Sequence, residues 1–457
     1  MIKIMRFNTA LLHSAAPGDK ATGATLTPIY QSSAFYQESA LQHEKLFANK
    51  APGFSYTRIG NPTIAAFEDR MTVLEGGMAS IACASGMAAV SCALLNITQA
   101  GDEIVVSTGL YGGTIDLFHD FEAYGITTKF VDINNLELVK SAINEKTKLV
   151  FAETIGNPKL DVADIEALAA IAHEAGIPLI IDNTVASAYL TQPLKLGADN
   201  VINSTSKYIN GNSDAISGVI TDGGKFKWDL EKYPGIKEFK VFGKLAFTAK
   251  LRNGLFRNIG ACIAPQTAFY NLLGMETLGL RMERACSNAL KLAKHLEEYN
   301  DLTVNYPGLE SSNWHETALR VLHNGFGAII TVRVGSKERA FSIMDGLKIP
   351  KIVSNIGDTK TLIVHPSSTL NVHSTEQEKK DANVFDDMIR ISVGIEDIED
   401  LIDKIKLFYE TASSSLVNIH GNIQVLDGIK KDAKTISVAF SEVEKGIAST
   451  DDLDTLL

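Results

Sequence analysis

Lys207 is a lone cation in "NSTSKYINGNSDAISG", residues 203–218, set among hydroxyls, asparagines and small side chains. A lysine amine so placed can be held as a Schiff base by a carbonyl cofactor. Its neighbours Ser204, Thr205 and Ser206 offer hydroxyls that suit that cofactor's phosphate. Upstream, "PLIIDNTVAS" ends an apolar run on Asp182. By itself such a carboxylate could cap a helix, bind a metal or pair with a cationic ring nitrogen. A pyridine cofactor needs both groups, a lysine for its aldehyde and an acid for its ring nitrogen, presented from neighbouring strand ends. In "STGLYGGT", Tyr111 lies on a glycine-rich loop. Its ring can stack on a planar cofactor and its phenol can serve as acid or base, or it can simply close a packed turn. In "CASGMAAV", Ser85 and Gly86 precede a helix. The N–H groups of that helix start, with a hydroxyl, make an anion site, although capping alone would also account for them. Taken jointly, Ser85, Gly86, Ser204 and Ser206 take a phosphate, Asp182 a ring nitrogen, Tyr111 a ring face and Lys207 the imine.

The elements that must position these groups alternate. Helical patterns run over about 62–75, 86–99, 112–124, 135–145 and 164–176, interleaved with the short apolar runs "EIVVS", "TTKFVD", "KLVFAE", "PLIIDN" and "NVINS". That alternation predicts an α/β domain, a mostly parallel sheet with helices on both faces, whose ligand sits beyond the carboxyl ends of the strands. Residues 1–60 read as an extended N-terminal arm, and 61–274 as the cofactor-binding domain. Residues 222–260 form a long polar and aromatic insertion within it. A long helix over about 275–299 leads into a smaller α+β domain, 275–411, with strands "AIITVRV", "TLIVH" and "MIRISV" and helices at about 336–346 and 396–410. The tail, 412–457, carries no assigned role.

Composition narrows the function classes. Lys and Arg number 43 against 54 Asp and Glu, for a net charge of −11, so no basic field exists to collect nucleic-acid phosphates. The chain lacks G-x-G-x-x-G, which removes a dinucleotide fingerprint. Its four cysteines, Cys83, Cys92, Cys262 and Cys286, form no Cys-x-x-Cys pair and read as buried free thiols rather than a metal site or disulfide framework. No run approaches the roughly 20 apolar residues needed to span a bilayer. The N-terminus lacks a signal-peptide core. A cytoplasmic protein is expected.

The segments "YTRIGNPT", "CASGMAAV", "GLYGGT", "IGNPKL", "IIDNT", "NSTSKYINGNSDAISG", "GMETLGLRMER" and "IRISVGIED" resemble the cysteine/methionine-metabolism family of pyridoxal-phosphate enzymes. The resemblance runs from about residue 20 to 410. It implies the fold type I of pyridoxal-phosphate-dependent transferases and pyridoxal 5'-phosphate as cofactor. It also implies further roles. Tyr56 and Arg58 would reach the phosphate of a neighbouring subunit's cofactor, in a homotetramer built from two site-sharing dimers. Met87 and Asn157 would join the cofactor's contacts, Asn157 near its 3'-oxygen. Arg390, with Ser354 and Asn355, would bind substrate, the arginine clamping an α-carboxylate as a fork. Ser206 stands where many members have threonine, which keeps the hydroxyl, and "YINGN" replaces their glycine- and histidine-containing loop.

Within the family, the insertion at 222–260 and "VSNIGDTKTLIVHPSSTLN", residues 353–371, resemble the O-acetylhomoserine sulfhydrylase branch. The implied reaction is γ-replacement, in which O-acetyl-L-homoserine and sulfide give L-homocysteine and acetate, or methanethiol gives methionine. A γ-lyase releasing 2-oxobutyrate and ammonia, and a non-catalytic cofactor-binding regulator, are the alternatives. The insertion, rich in aromatic rings and cations, is expected to narrow and dry the mouth of the site, or else to bury those rings structurally.

Overall fold

The computed structural model describes residues 5–15 and 18–406 of the chain. The tail from 412 lies outside the described residues. So does the end of the helix expected over 396–410, of which 398–406 are helical.

The expected arm contains two helices, α1 (Phe7–His13) and α2 (Ala40–Phe47). Leu11 of α1 is buried, and α1 packs on α3 (Pro62–Glu75). Local chemistry delimits α3. The Asn61 side chain accepts the Thr63 N–H at 2.9 Å, Pro62 fills the first turn, and Gly76 ends it with φ +72°.

From there helices and strands alternate: β1 (Ala79–Cys83), α4 (Gly86–Leu95), β2 (Glu103–Ser107), α5 (Gly112–Ala123), β3 (Thr127–Val131) and α6 (Leu136–Ala142). Next come β4 (Thr147–Glu153), α7 (Ile165–Glu174), β5 (Leu179–Asp182), α8 (Ser187–Leu190), β6 (Asn200–Asn203) and β7 (Gly218–Asp222). The sheet order is β1-β7-β6-β5-β4-β2-β3. Strands β2 to β6 pair in parallel, and β7 is antiparallel to both neighbours. The parallel strands match the apolar runs of the sequence because both of their faces are covered, so Leu149–Ala152 and Leu179–Ile181 are fully buried. Strand β1, "ASIAC", was not anticipated: one β-branched residue among small ones carries little strand signal.

Residues 222–260 follow β7. They form a 3₁₀ stretch, Pro234–Leu245, then α9 (Ala246–Asn253) and α10 (Leu255–Ile259). Tyr233, Phe247 and Phe256 are buried, and Trp228 stacks on Phe247 with centroids 5.7 Å apart. These rings share one core with Ile81, Val90, Phe118 and Phe151, so the insertion seals one face of the large sheet.

Helices α11 (Pro265–Glu276) and α12 (Leu278–Leu296) lead to the second sheet. Helix α12 buries Leu278, Met282, Ala285, Ala289, Leu292 and Leu296, a helical stripe facing the core. The sheet has the order β10-β11-β12-β9-β8. Its strands are β8 (Thr303–Asn305), β9 (Ile329–Arg333), β10 (Lys351–Ile352), β11 (Leu362–Val364) and β12 (Met388–Ser392). Strands β8 and β10, of three and two residues, are too short to show a period. Among the described residues no helix is long and apolar enough to cross a membrane. Cys83, Cys92 and Cys286 are buried free thiols, and Cys262 is half-buried and free.

Candidate active site

The carboxyl ends of β4, β5 and β6 open on one cavity of about 420 Å³, the size of a small-ligand site. Ser85, Gly86, Met87, Tyr111, Asn157, Asp182, Ser204, Ser206, Lys207, Ser354, Asn355 and Arg390 all line it. Tyr56 and Arg58 do not, and neither does any residue of 222–260. Within the chain, then, the insertion does not narrow the mouth of the cavity; its rings, Phe242 apart, pack into the core behind the sheet.

Asp182 closes β5 with its carboxylate in the cavity. Its Oδ1 accepts the Thr184 N–H at 2.9 Å, while the Thr184 hydroxyl accepts the Ser204 N–H at 2.7 Å. One threonine thus ties the strand end bearing the acid to the turn leading to Lys207. Burial raises Asp182 to about 6, against the lowering by Thr184. In register beside it stands Glu153, the last residue of β4. Glu153 was missed in the sequence, although "KLVFAE" ends on an acid at a strand's carboxyl edge just as "PLIIDN" does. Glu153 Oε1 accepts the Tyr111 N–H at 2.7 Å, so this carboxyl sets the start of α5 and the tyrosine on it. Burial, then the Asp182 charge, pushes Glu153 well above the usual carboxylate range.

Lys207 sits in the turn after Ser204, its backbone N–H on the Ser204 carbonyl at 3.2 Å. The smaller sheet supplies its partner: Lys207 Nζ donates to Asn355 Oδ1. The loop bearing Asn355 reaches so far because of Gly357, which has φ +75°. A Cβ there would lie 2.6 Å from the Tyr208 nitrogen. Burial, and then the Arg390 charge, lowers Lys207 to about 8. Arg390, in the middle of β12, is 2% exposed. Its Nη1 donates to Asn157 Oδ1 and its Nη2 to the Asn355 carbonyl, both at 3.0 Å. Its Nε is buried without a hydrogen-bond partner, an orphaned donor beside the cavity.

A second end of the cavity suits an anion. The Ser85 hydroxyl caps α4 by accepting the Ala88 N–H at 3.0 Å, which leaves its own proton to donate. Gly86 faces Ser204 so closely that a Cβ would lie 2.6 Å from the Ser204 Cβ, so no larger residue leaves this corner open. The Ser204 hydroxyl makes no hydrogen bond among the described residues. Ser206 differs: its hydroxyl donates to the Ser217 carbonyl at 3.1 Å and accepts the Ser217 N–H at 2.8 Å. It must release Ser217 to donate to an anion. A ring with an aldehyde, a basic nitrogen and a phosphate therefore fits the donors present: amine, acid, aromatic face and helix start.

Tyr56 and Arg58 share an exposed loop away from this cavity. The Arg58 guanidinium lies 5.4 Å from the Tyr56 ring centroid, and its Nη1 donates to the Arg257 carbonyl at 2.6 Å.

Comparison with known proteins shows the family. Residues 8–408 match the family model described as Cys/Met metabolism PLP-dependent enzyme. The chain is 42% identical to the O-acetyl-L-homoserine sulfhydrylase of Leptospira meyeri, over 86% of this chain and 94% of that protein. It is 39% identical to the homocysteine/cysteine synthase of Saccharomyces cerevisiae, over 89% and 98%. A Campylobacter jejuni crystal structure, provisionally named an O-acetylhomoserine (thiol)-lyase and carrying N'-pyridoxyl-lysine-5'-monophosphate, superposes with a TM-score of 0.85. It is 33% identical and covers 89% of this chain and 100% of that one.

Proposed function

The chain belongs to the family of Cys/Met metabolism PLP-dependent enzymes, and we propose that within it the protein catalyses γ-replacement on O-acetyl-L-homoserine. Sulfide is the nucleophile and L-homocysteine and acetate are the products. The observation that carries this reading is Arg390. A buried guanidinium with an orphaned Nε, beside a lysine of lowered pKa, is a receptor for the carboxylate of an amino-acid substrate.

Pyridoxal phosphate would be held by Lys207 at its aldehyde, by Asp182 at its ring nitrogen and by Tyr111 on one face. Ser85, Gly86, Met87, Ser204 and Ser206 would take its phosphate, and Asn157 would lie by the 3'-oxygen. When bound it supplies an aldehyde that condenses with amines and a ring that draws off electrons from the adjacent carbon. Asp182 keeps the ring nitrogen cationic. Lys207 near pH 8 carries enough neutral amine to react with an aldehyde and, once a substrate amine has replaced it, to take the substrate's α-proton. Arg390 holds the substrate carboxylate in place of its present carbonyl partners, while Ser354 and Asn355 border the same end of the cavity. Tyr111 moves a proton at the substrate amine and the departing acetate. Loss of acetate opens Cγ to hydrogen sulfide ion, and atoms and charge balance in the exchange of one anion for the other.

Tyr56 and Arg58 would complete the site of a neighbouring subunit, in a dimer that pairs into a tetramer. The reaction would run in the cytoplasm. Turnover assays with O-acetylhomoserine, O-succinylhomoserine, cystathionine and methionine, run in parallel, test the substrate: O-acetylhomoserine with sulfide should be fastest. Faster elimination from methionine or cystathionine would favour the lyase reading.

A further inference from the structure

The cavity takes no residue from 222–260, but one cation of that segment, Arg252, reaches the loop that carries Tyr56 and Arg58. Arg252, on α9, reaches three elements at once. Its Nη1 donates to the Ile59 carbonyl at 3.1 Å, and its Nη2 to Glu68 Oε2 at 2.7 Å and the Ser80 carbonyl at 3.2 Å. Glu68 is buried in α3, and its other oxygen accepts the Ala82 N–H at 2.8 Å. The Phe256 ring backs the Arg252 guanidinium at 5.7 Å. On the adjoining helix α10, the Arg257 carbonyl accepts Arg58 Nη1. The backbone N–H groups of residues 57–60 otherwise bond to the Tyr56 and Ser33 carbonyls, and the Tyr56 ring lies 5.4 Å from the Arg58 guanidinium without offering it a hydrogen-bond acceptor.

We propose that Arg252 is a positioning residue for Arg58. It pins Ile59 on one side while the helix continuing from it presents the Arg257 carbonyl on the other. The Arg58 guanidinium is thereby aimed outward, toward an anion on a second copy of the chain. This rests on the reading that Arg58 serves the neighbour's phosphate. It gives the insertion a task that its absence from the chain's own cavity leaves open. A lysine cannot replace Arg252, because one ammonium cannot span the three acceptors that the planar fork reaches.

The test measures cofactor binding rather than turnover. Apoprotein carrying Arg252→Met is titrated with pyridoxal phosphate, followed by the absorbance of the lysine-linked cofactor, beside Arg58→Ala. Each should bind about tenfold more weakly than the unmodified protein, the loss of one charge-assisted contact. Since Arg252→Met strands a buried carboxylate, Arg252→Met with Glu68→Gln is titrated as well; glutamine keeps the acceptor for Ala82 without the charge. Its affinity should fall equally. Each variant is then mixed with Lys207→Ala protein. In the hybrid, the site with an intact lysine receives Arg58 from a chain whose Arg252 is intact, so tight binding should return. A merely structural defect stays in its own chain and is not repaired this way. Undiminished binding by the Arg252 variants overturns the proposal. So does failure of their hybrids while Arg58→Ala hybrids recover. If neither recovers, with subunit exchange shown by native mass, the reading of Arg58 falls and the proposal with it.

Discussion

Lys207 and Arg390 meet on one residue: the side-chain oxygen of Asn355 accepts from the lysine ammonium, and its backbone carbonyl accepts from the guanidinium at 3.0 Å. The large sheet contributes the lysine and the small sheet the arginine, so the loop after β10 joins two cations across the two lobes. Its amide nitrogen is anchored in turn on the Ser213 hydroxyl at 3.0 Å. A neutral amide can hold an ammonium without drawing it far toward the charged form, and burial then keeps the lysine near 8.

That balance predicts a pH profile for cofactor uptake by the apoprotein. The neutral amine is the reactive form, so the rate should climb as pH rises through about 8. Asp182 must be ionised to hold a cationic ring nitrogen, so affinity should fall as pH drops through about 6. Asn355→Asp places a carboxylate on the ammonium, favours the charged form and should move the upper midpoint upward by about one unit, slowing uptake at pH 7 about tenfold. Stopped-flow absorbance at pH values bracketing about 6 and about 8 checks both limbs; an unmoved midpoint in Asn355→Asp would contradict the assignment.

Borohydride reduction of the cofactor-loaded protein should attach the pyridoxyl group to Lys207 and to no other lysine, as read by peptide mass spectrometry. Lys207→Ala should retain cofactor through the phosphate contacts but lose turnover by at least about 10³-fold, the scale of a missing proton-transfer group combined with a missing covalent link. Label on another lysine would contradict the role given to this turn.

Arg390→Lys keeps the charge and removes the fork. Specificity for O-acetylhomoserine, measured as kcat/KM, should fall about 100-fold, the equivalent of about 3 kcal/mol lost from a bidentate contact. Cofactor affinity should fall by less than kcat/KM, because the arginine bonds to none of Ser85, Gly86, Ser204 and Ser206, the residues given to the phosphate. A parallel collapse of cofactor affinity would place Arg390 at the wrong end of the cavity.

The central parallel strands and the groups at their ends were legible because β5 and β6 are short, buried, largely apolar runs that stop on or just before a residue able to do chemistry, Asp182 and Ser204. The same logic applied to "KLVFAE" would have found Glu153. Strand β1 was not legible, since "ASIAC" is shaped by its pairing with β7 rather than by propensity. The destination of the rings at 226–256 was not legible either. Aromatic composition says that a segment will be buried, but which surface it covers is decided by tertiary packing against residues such as Ile81 and Phe118. The pairing of Arg390 with Asn355 is likewise long-range, made by a loop whose path depends on Gly357.

The central claim is γ-replacement, and its most direct measurement is the product partition from O-acetyl-L-homoserine. Purified, cofactor-loaded protein is supplied with the substrate and saturating sulfide, and homocysteine, acetate and 2-oxobutyrate are quantified from the same time points. Homocysteine should form in step with acetate, one for one, with 2-oxobutyrate a minor product that grows only when sulfide is withheld. Acetate released alongside an equal amount of 2-oxobutyrate in the presence of sulfide would contradict the account.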